Sequence, residues 1–163
     1  MIAPAGWISV DDTNGLQAYL NAGNPADPNT MAFFESMLPL FVSQTFSSIY
    51  INPEHLAYTT HQYVEIGVEL PVSNFENSML DPIKTDPEIE LVDNRYVETS
   101  AGEALYIEVL RPIRAGIMHR EIRYIIYGAE RINIFFFVVP DEFYPLYEQT
   151  FQDMMNTMQF VEE

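Results

Sequence analysis

The chain has 163 residues, enough for one domain that buries roughly 70% of the surface its unfolded form exposes, so neither metal nor disulfide is needed to hold it together. It contains no cysteine, which excludes thiol catalysis, thiolate metal sites and disulfides. Acidic residues number 24 against 7 basic ones, a formal net charge of −17 that keeps the chain soluble and argues against nucleic-acid and peripheral-membrane partners.

Pro4-Ala5-Gly6-Trp7-Ile8-Ser9-Val10 reads as a turn leading into a strand, with Trp7 a core anchor and Asp11-Asp12-Thr13-Asn14-Gly15 the turn that ends it. A calcium loop beginning at Asp11 would need glutamate at its twelfth position, where Ala22 stands, so this is an Asx-type turn. Leu16 to Leu20 offers a short second strand, and residues 21–29 are too rich in turn formers to be anything but loop.

Met31 to Phe46 reads as a helix that Pro39 kinks or divides. Phe33, Phe34, Met37, Leu38, Leu40, Phe41, Val42 and Phe46 cover most of its circumference, and a helix apolar nearly all round is usually buried in its own chain. The alternative is an exposed Phe/Met surface that receives a protein partner, with Phe33, Phe34, Met37 and Phe41 as the candidate residues.

From Ser47 to Val72 extended structure returns, and Val64, Ile66, Val68 and Leu70 alternate with Glu65, Gly67 and Glu69 as in a strand with one buried face. Ser73-Asn74-Phe75-Glu76 has the spacing of a capping box, which predicts a helix from Asn74 to about Leu80, ended or bent by Pro82. Thr85-Asp86-Pro87 turns the chain into a strand carrying Ile89, Leu91, Tyr96 and Val97, with a break at Asp93-Asn94. Ser100-Ala101-Gly102-Glu103 reverses it into Ala104 to Leu110, where Leu105, Ile107 and Val109 alternate with Tyr106 and Glu108.

Pro112 to Gly116 reverses the chain again, and Ile122 to Tyr127 and Ile132 to Val139 are stiff, β-branched and aromatic runs that pair as a hairpin. Gly128-Ala129-Glu130 supplies a residue tolerant of positive φ at the reversal. After Pro140 the period becomes 3.6. Tyr147, Phe151, Met154 and Met158 form one stripe of a helix starting at Pro145, and residues 141–144 lead into it. Four consecutive strands from Ile89 to Val139 make an antiparallel meander, so the class is α+β, with about six to seven antiparallel strands in all.

No apolar run is long enough to span a membrane, and Met1 to Val10 has no leader character, so the chain as written is expected to be cytoplasmic. A trimmed leader would place it in the cell envelope or outside the cell. No Asn-x-Ser/Thr acceptor is present.

A strand opened by Pro-x-Gly-Trp, a helix of Phe75 and Met79 before a meander, Gly102-Glu103-Ala104 at a turn, an aromatic hairpin and a last helix ending in Met158-Gln159-Phe160 together resemble the PsbP/Mog1-like superfamily. The resemblance covers most of Trp7 to Phe160, while Leu16 to Phe46 departs from it in being longer and richer in Phe and Met. It implies an α/β/α sandwich in which helices enclose the sheet. It also implies a mostly non-enzymatic function, as in accessory photosynthetic subunits, a nuclear-transport factor that binds a small GTPase, envelope lipoproteins and acidic effector chaperones.

The residues offer little chemistry of their own. His61 and Glu65 share a strand face about 13 Å apart, too far to hold one metal, and His119 reads as part of a wet face beside Arg120 and Glu121. No phosphate loop, Gly-x-Gly-x-x-Gly, Gly-x-Ser-x-Gly or His-x-x-x-His occurs, so no catalytic residue, cofactor or metal is assigned. Arg111, Arg114, Arg120 and Arg123 are four of the seven basic residues within thirteen positions, and are the candidates for anion binding if the turn gathers them. The plainer reading pairs them with acidic neighbours.

The leading functional expectation is a non-catalytic binding or accessory module, chaperone-like in character, that holds a protein partner such as an apolar helix. The alternative is a small-molecule or hydrolase-type pocket lined by Tyr58, Tyr63, Tyr124 and Tyr127.

Overall fold

The structure, a computed structural model, describes residues 7–9, 48–52, 54–66, 72–113, 116–128 and 131–158. The expected strand Leu16 to Leu20, the loop 21–29, the helix Met31 to Phe46 with Phe33, Phe34, Met37 and Phe41, and Arg114 lie outside the described residues.

Seven strands, β1 (Ile8–Ser9), β2 (Ser48–Asn52), β3 (Ala57–Glu65), β4 (Glu90–Thr99), β5 (Gly102–Pro112), β6 (Met118–Tyr127) and β7 (Arg131–Pro140), form one sheet in the order β1-β2-β3-β7-β6-β5-β4. Every pairing is antiparallel. The C-terminal meander is therefore as the turn spacing predicts, and β3 returns to close against β7. Two described helices, α1 (Val72–Thr85) and α2 (Tyr144–Asn156), cover opposite faces, and a single 3₁₀ turn (Asp141–Phe143) leads into α2.

Side chains alternate across each strand, so each face collects its own core. Toward α1, Leu80 and Ile83 pack on Leu105, Ile107, Val109, Ile125, Ile132 and Ile134. Toward α2, Tyr147, Phe151, Met154, Met155 and Met158 pack on Ala104, Tyr106, Ile122, Tyr124, Phe135 and Phe137. The expected stripe of the last helix is thus the buried one, with Met155 added to it. Trp7 meets it edge-on, its ring 5.9 Å from Tyr147 and 6.3 Å from Phe151.

Several local expectations need correction. Of the half-buried alternation expected over Val64 to Leu70, only Val64 to Ile66 fall among the described residues: β3 runs Ala57–Glu65, its last residue pairing with Arg131, the first of β7, and residues 67–71 lie outside the described residues. Val64 is exposed, and Ile66 leaves the strand to pack on the α1 side.

Pro82 does not end α1, which continues through it to Thr85. Pro82 is exposed, where water can take up the carbonyl it leaves unbonded, while Leu80 and Ile83 on the buried side hold the helix to the sheet. Glu76 serves Tyr96, whose hydroxyl donates to Oε2 at 3.0 Å.

The irregularity in β4 falls between Leu91 and Asp93, slightly earlier than expected, with Val92 the extra, exposed residue. Gly128 does not use positive φ, which among the described glycines belongs to Gly102 and Gly116. A Cβ at Gly128 would lie 3.0 Å from the Arg131 carbonyl oxygen, so close approach is what favours glycine there.

Candidate functional site

The hairpin register sorts the arginines. On β5 and β6, Arg111 faces His119 and Val109 faces Glu121, which sets Arg111 diagonal to Glu121 on the α1 side. Arg123 stands two residues along the same face. Both guanidinium groups close on one carboxylate, with Arg111 Nη2 at 2.8 Å from Glu121 Oε2 and Arg123 Nε donating to Oε1 at 2.5 Å. The Glu121 side chain is 1% exposed, and Arg111 Nε is buried without an acceptor among the described residues.

Arg120 points to the opposite face. It donates to Glu108 Oε1 and, at 2.8 Å, to Asp141 Oδ1, and its guanidinium lies 4.5 Å from the centre of the Tyr144 ring. Tyr106 donates to the other Glu108 oxygen at 2.5 Å. Burial works to lower the Arg120 pKa, but the bonds to Asp141 and Glu108 outweigh it and the net shift is upward. Of the four arginines read as an anion site, the structure thus brings Arg111 and Arg123 together and sets Arg120 apart, while Arg114 is not described.

His119 and Glu121, read as a wet strand face, are both 1% exposed. The reading failed because α1 and α2 cover both faces. Burial pushes the His119 pKa down, and its Nδ1 lies 3.0 Å from the Ile117 carbonyl oxygen. His61 stacks on Phe135, and His55 Nδ1 lies 2.7 Å from the Tyr147 hydroxyl, tying the β2–β3 turn to α2. In that turn Asn52 Oδ1 accepts from the amides of Glu54 and His55, and Leu56 takes a left-handed φ of 57°.

The four candidate tyrosines divide between the faces. Tyr58 and Tyr127 belong to the α1 side, where Tyr127 meets Phe75, and Tyr63 and Tyr124 to the α2 side. Burial pushes the Tyr124 and Tyr127 hydroxyls up to about 12, so neither is a base near neutrality. Among the described residues no three His, Asp or Glu side chains gather as metal ligands would.

The cleft that sequence reasoning missed lies where β4 emerges from under α2. It has a volume of about 200 Å³, with Arg95, Val97 and Thr99 of β4 on one side, Tyr106 and Tyr124 at its floor and Gln152, Met155 and Asn156 of α2 opposite. Arg95 pairs with Asp93, and its guanidinium lies 4.4 Å from the centre of the Tyr106 ring. Ser100 fixes the rim by donating to the Met155 and Met158 carbonyls at 3.1 and 2.7 Å. The usable signal was the odd-numbered set Arg95, Val97, Thr99, which one strand face must share.

A seven-stranded antiparallel sheet with a helix on each face and its interior charges paired across strands is an α+β sandwich. Among solved structures it is similar to cyanobacterial PsbP (CyanoP) from Synechocystis sp. PCC 6803, with 12% identity and a TM-score of 0.55, covering 98% of this chain and 84% of that one. It is also similar to PA94 of Pseudomonas aeruginosa, a protein of unknown function, at 12% identity and a TM-score of 0.55, over 74% of this chain and 78% of the other. The fold is PsbP-like, as the sequence resemblance implies, and at this identity the likeness is one of fold. No family model matches the sequence, and no curated protein does. Among the described residues no helix is long and apolar enough to cross a membrane.

Proposed function

We propose that the chain is a non-catalytic accessory module that binds a protein partner, with Phe33, Phe34, Met37 and Phe41 contributing its apolar contact surface. The observation that carries this reading is how the interior ionisable groups are spent. Glu108, Glu121, Arg120 and Arg123 are bonded to one another, to Asp141 or to Tyr106, and the rings of His55 and His61 to Tyr147 and Asn133. Groups held in this way order a core, and among the described residues they leave no nucleophile beside an available base.

The fold neighbours support an accessory or regulatory direction: one is a PsbP, and PA94 was put forward as a regulator. The tyrosine-pocket alternative draws less support, since its four tyrosines lie on two faces of the sheet.

Affinity capture from the native host, comparing the wild-type chain with Phe34→Glu and Phe41→Glu variants that keep the wild-type thermal midpoint, tests the proposal. Loss of specific partners from both variants is expected. Recovery of the same partners by all three chains would show that this segment is not the contact surface.

A further inference from the structure

β4 is the last strand of the sheet and pairs only with β5 among the described residues. After the bulge at Val92 its register is regular from Asp93 to Thr99, and Tyr96 in the middle is 45% exposed. The two faces of this stretch differ in chemistry. Toward α2, Arg95, Val97 and Thr99 edge the cleft floored by Tyr106 and Tyr124. Toward α1, Tyr96 bonds Glu76, and Glu98 stands directly opposite Glu103, both exposed.

Like charges opposite each other on adjacent strands oppose sheet formation. At the edge of a sheet they also repel a second copy of the same edge, and so guard against self-pairing. They favour a cationic visitor for the same reason, and the only cation within β4, Arg95, is paired with Asp93.

We propose that the β4 edge, Asp93 to Thr99, docks an extended basic segment of a partner protein by strand addition. Its cationic side chains lie among Glu76, Glu98 and Glu103 against the Tyr96 ring, and the alternate apolar side chain enters the cleft beside Val97. Backbone bonding along an edge supplies affinity in such a complex, and pockets for alternate side chains supply specificity. The charge pattern excludes a second copy as occupant, since this chain has 24 acidic residues against 7 basic ones. The inference deepens the binding-module reading and rests on it.

The probe is a dye-labelled peptide, acetyl-Lys-Leu-Lys-Val-Lys-Leu-Lys, which alternates like a strand. The control is its isomer acetyl-Lys-Lys-Lys-Lys-Leu-Val-Leu, of equal charge and composition. Binding is followed by anisotropy at matched ionic strength, and amide exchange locates the bound peptide. The alternating peptide is expected to bind about tenfold tighter than the isomer, to weaken by about tenfold or more in the Glu98→Lys/Glu103→Lys chain, and to protect the amides of Asp93 to Thr99. The milder Glu98→Gln/Glu103→Gln chain is expected to fall between, so that a folding defect in the reversal is recognised.

Equal binding of the two peptides, undiminished binding by the reversed chain, protection elsewhere, or no binding would each overturn the proposal. Phe34→Glu and Phe41→Glu are expected to leave peptide affinity unchanged. If those variants lose captured partners while the wild-type chain ignores the peptide, the edge proposal fails and the module reading stands.

Discussion

His61 lies flat on Phe135, with ring centroids 4.3 Å apart and planes 7° from parallel, and its Nε2 is 3.0 Å from Asn133 Oδ1. Burial holds its pKa below the usual histidine value, against the partial opposition of the Asn133 bond. Below about pH 6.5 the unfolded chain takes up a proton that the folded chain refuses. Stability is therefore fully present above that pH and is lost as pH falls toward the folded pKa. His119 is shifted in the same direction and acts in the same window. Urea unfolding at pH 7.5 and 5.5 is expected to show the lower stability at 5.5, and His61→Gln to reduce the difference. A ring-proton titration placing the folded His61 pKa above 6.5 would contradict the assignment.

Glu121, its side chain 1% exposed, is the shared acceptor of Arg123, 15% exposed, and Arg111, 36% exposed, so removing it leaves both cations without this partner and strands the more buried Arg123. Glu121→Leu is expected to destabilise the chain by about 3–5 kcal/mol, as breaking a buried ion pair does. The triple change Arg111→Met, Glu121→Leu and Arg123→Met removes the stranded charges along with the acceptor, and is expected to recover most of that loss. Denaturant midpoints at constant slope measure both. Equal loss in the single and triple variants would mean that shape at this site matters more than charge.

The ease with which these features could be read from sequence followed from how local their cause is. The β6–β7 hairpin and the α2 stripe were legible because stiff β-branched runs and a 3.6-residue period report directly on the backbone. The interior of β5 was not, because Tyr106 and Glu108 alternate with Leu105, Ile107 and Val109 in the pattern of a wet face, yet α2 covers that face. Glu121 and His119 were misread for the same reason on the α1 side. The pairing of Arg120 with Glu108 and of Arg111 with Glu121 depends on hairpin register, which an uncertainty of one residue in the Pro112 to Gly116 turn is enough to scramble. The cleft depends on how far α2 extends over the sheet, which no periodicity encodes.

Pro82 illustrates tertiary contacts overriding a local signal. The helix persists through it because Leu80 and Ile83 are buried against the sheet, and Asp86 N still reaches the Pro82 carbonyl at 3.2 Å. Restoring the missing amide donor at this exposed position is expected to stabilise the chain by about 1 kcal/mol in Pro82→Ala, less than the roughly 3 kcal/mol that proline costs in a free helix interior, because proline also restricts the unfolded chain. An upward shift of the thermal midpoint without change in unfolding slope checks this. A downward shift would mean that the proline ring itself is required for α1 to lie on β4 and β5.

Phe151 joins the α2 stripe to the sheet and to the first strand, since it packs 5.0 Å from the Phe137 ring and 6.3 Å from the only tryptophan, Trp7. It is 1% exposed, so Phe151→Ala opens a cavity that neighbouring rings can only partly fill. A loss of about 3–5 kcal/mol is expected, the range for truncating a buried phenylalanine. Trp7 provides a second readout, because β1 is only two residues long and its neighbour is held largely by the Tyr147 and Phe151 rings. Its emission is expected to shift to longer wavelength in the folded variant, at denaturant concentrations where far-ultraviolet ellipticity is still native. An unshifted spectrum alongside the full stability loss would mean that the Phe151 ring is not what holds Trp7 in place.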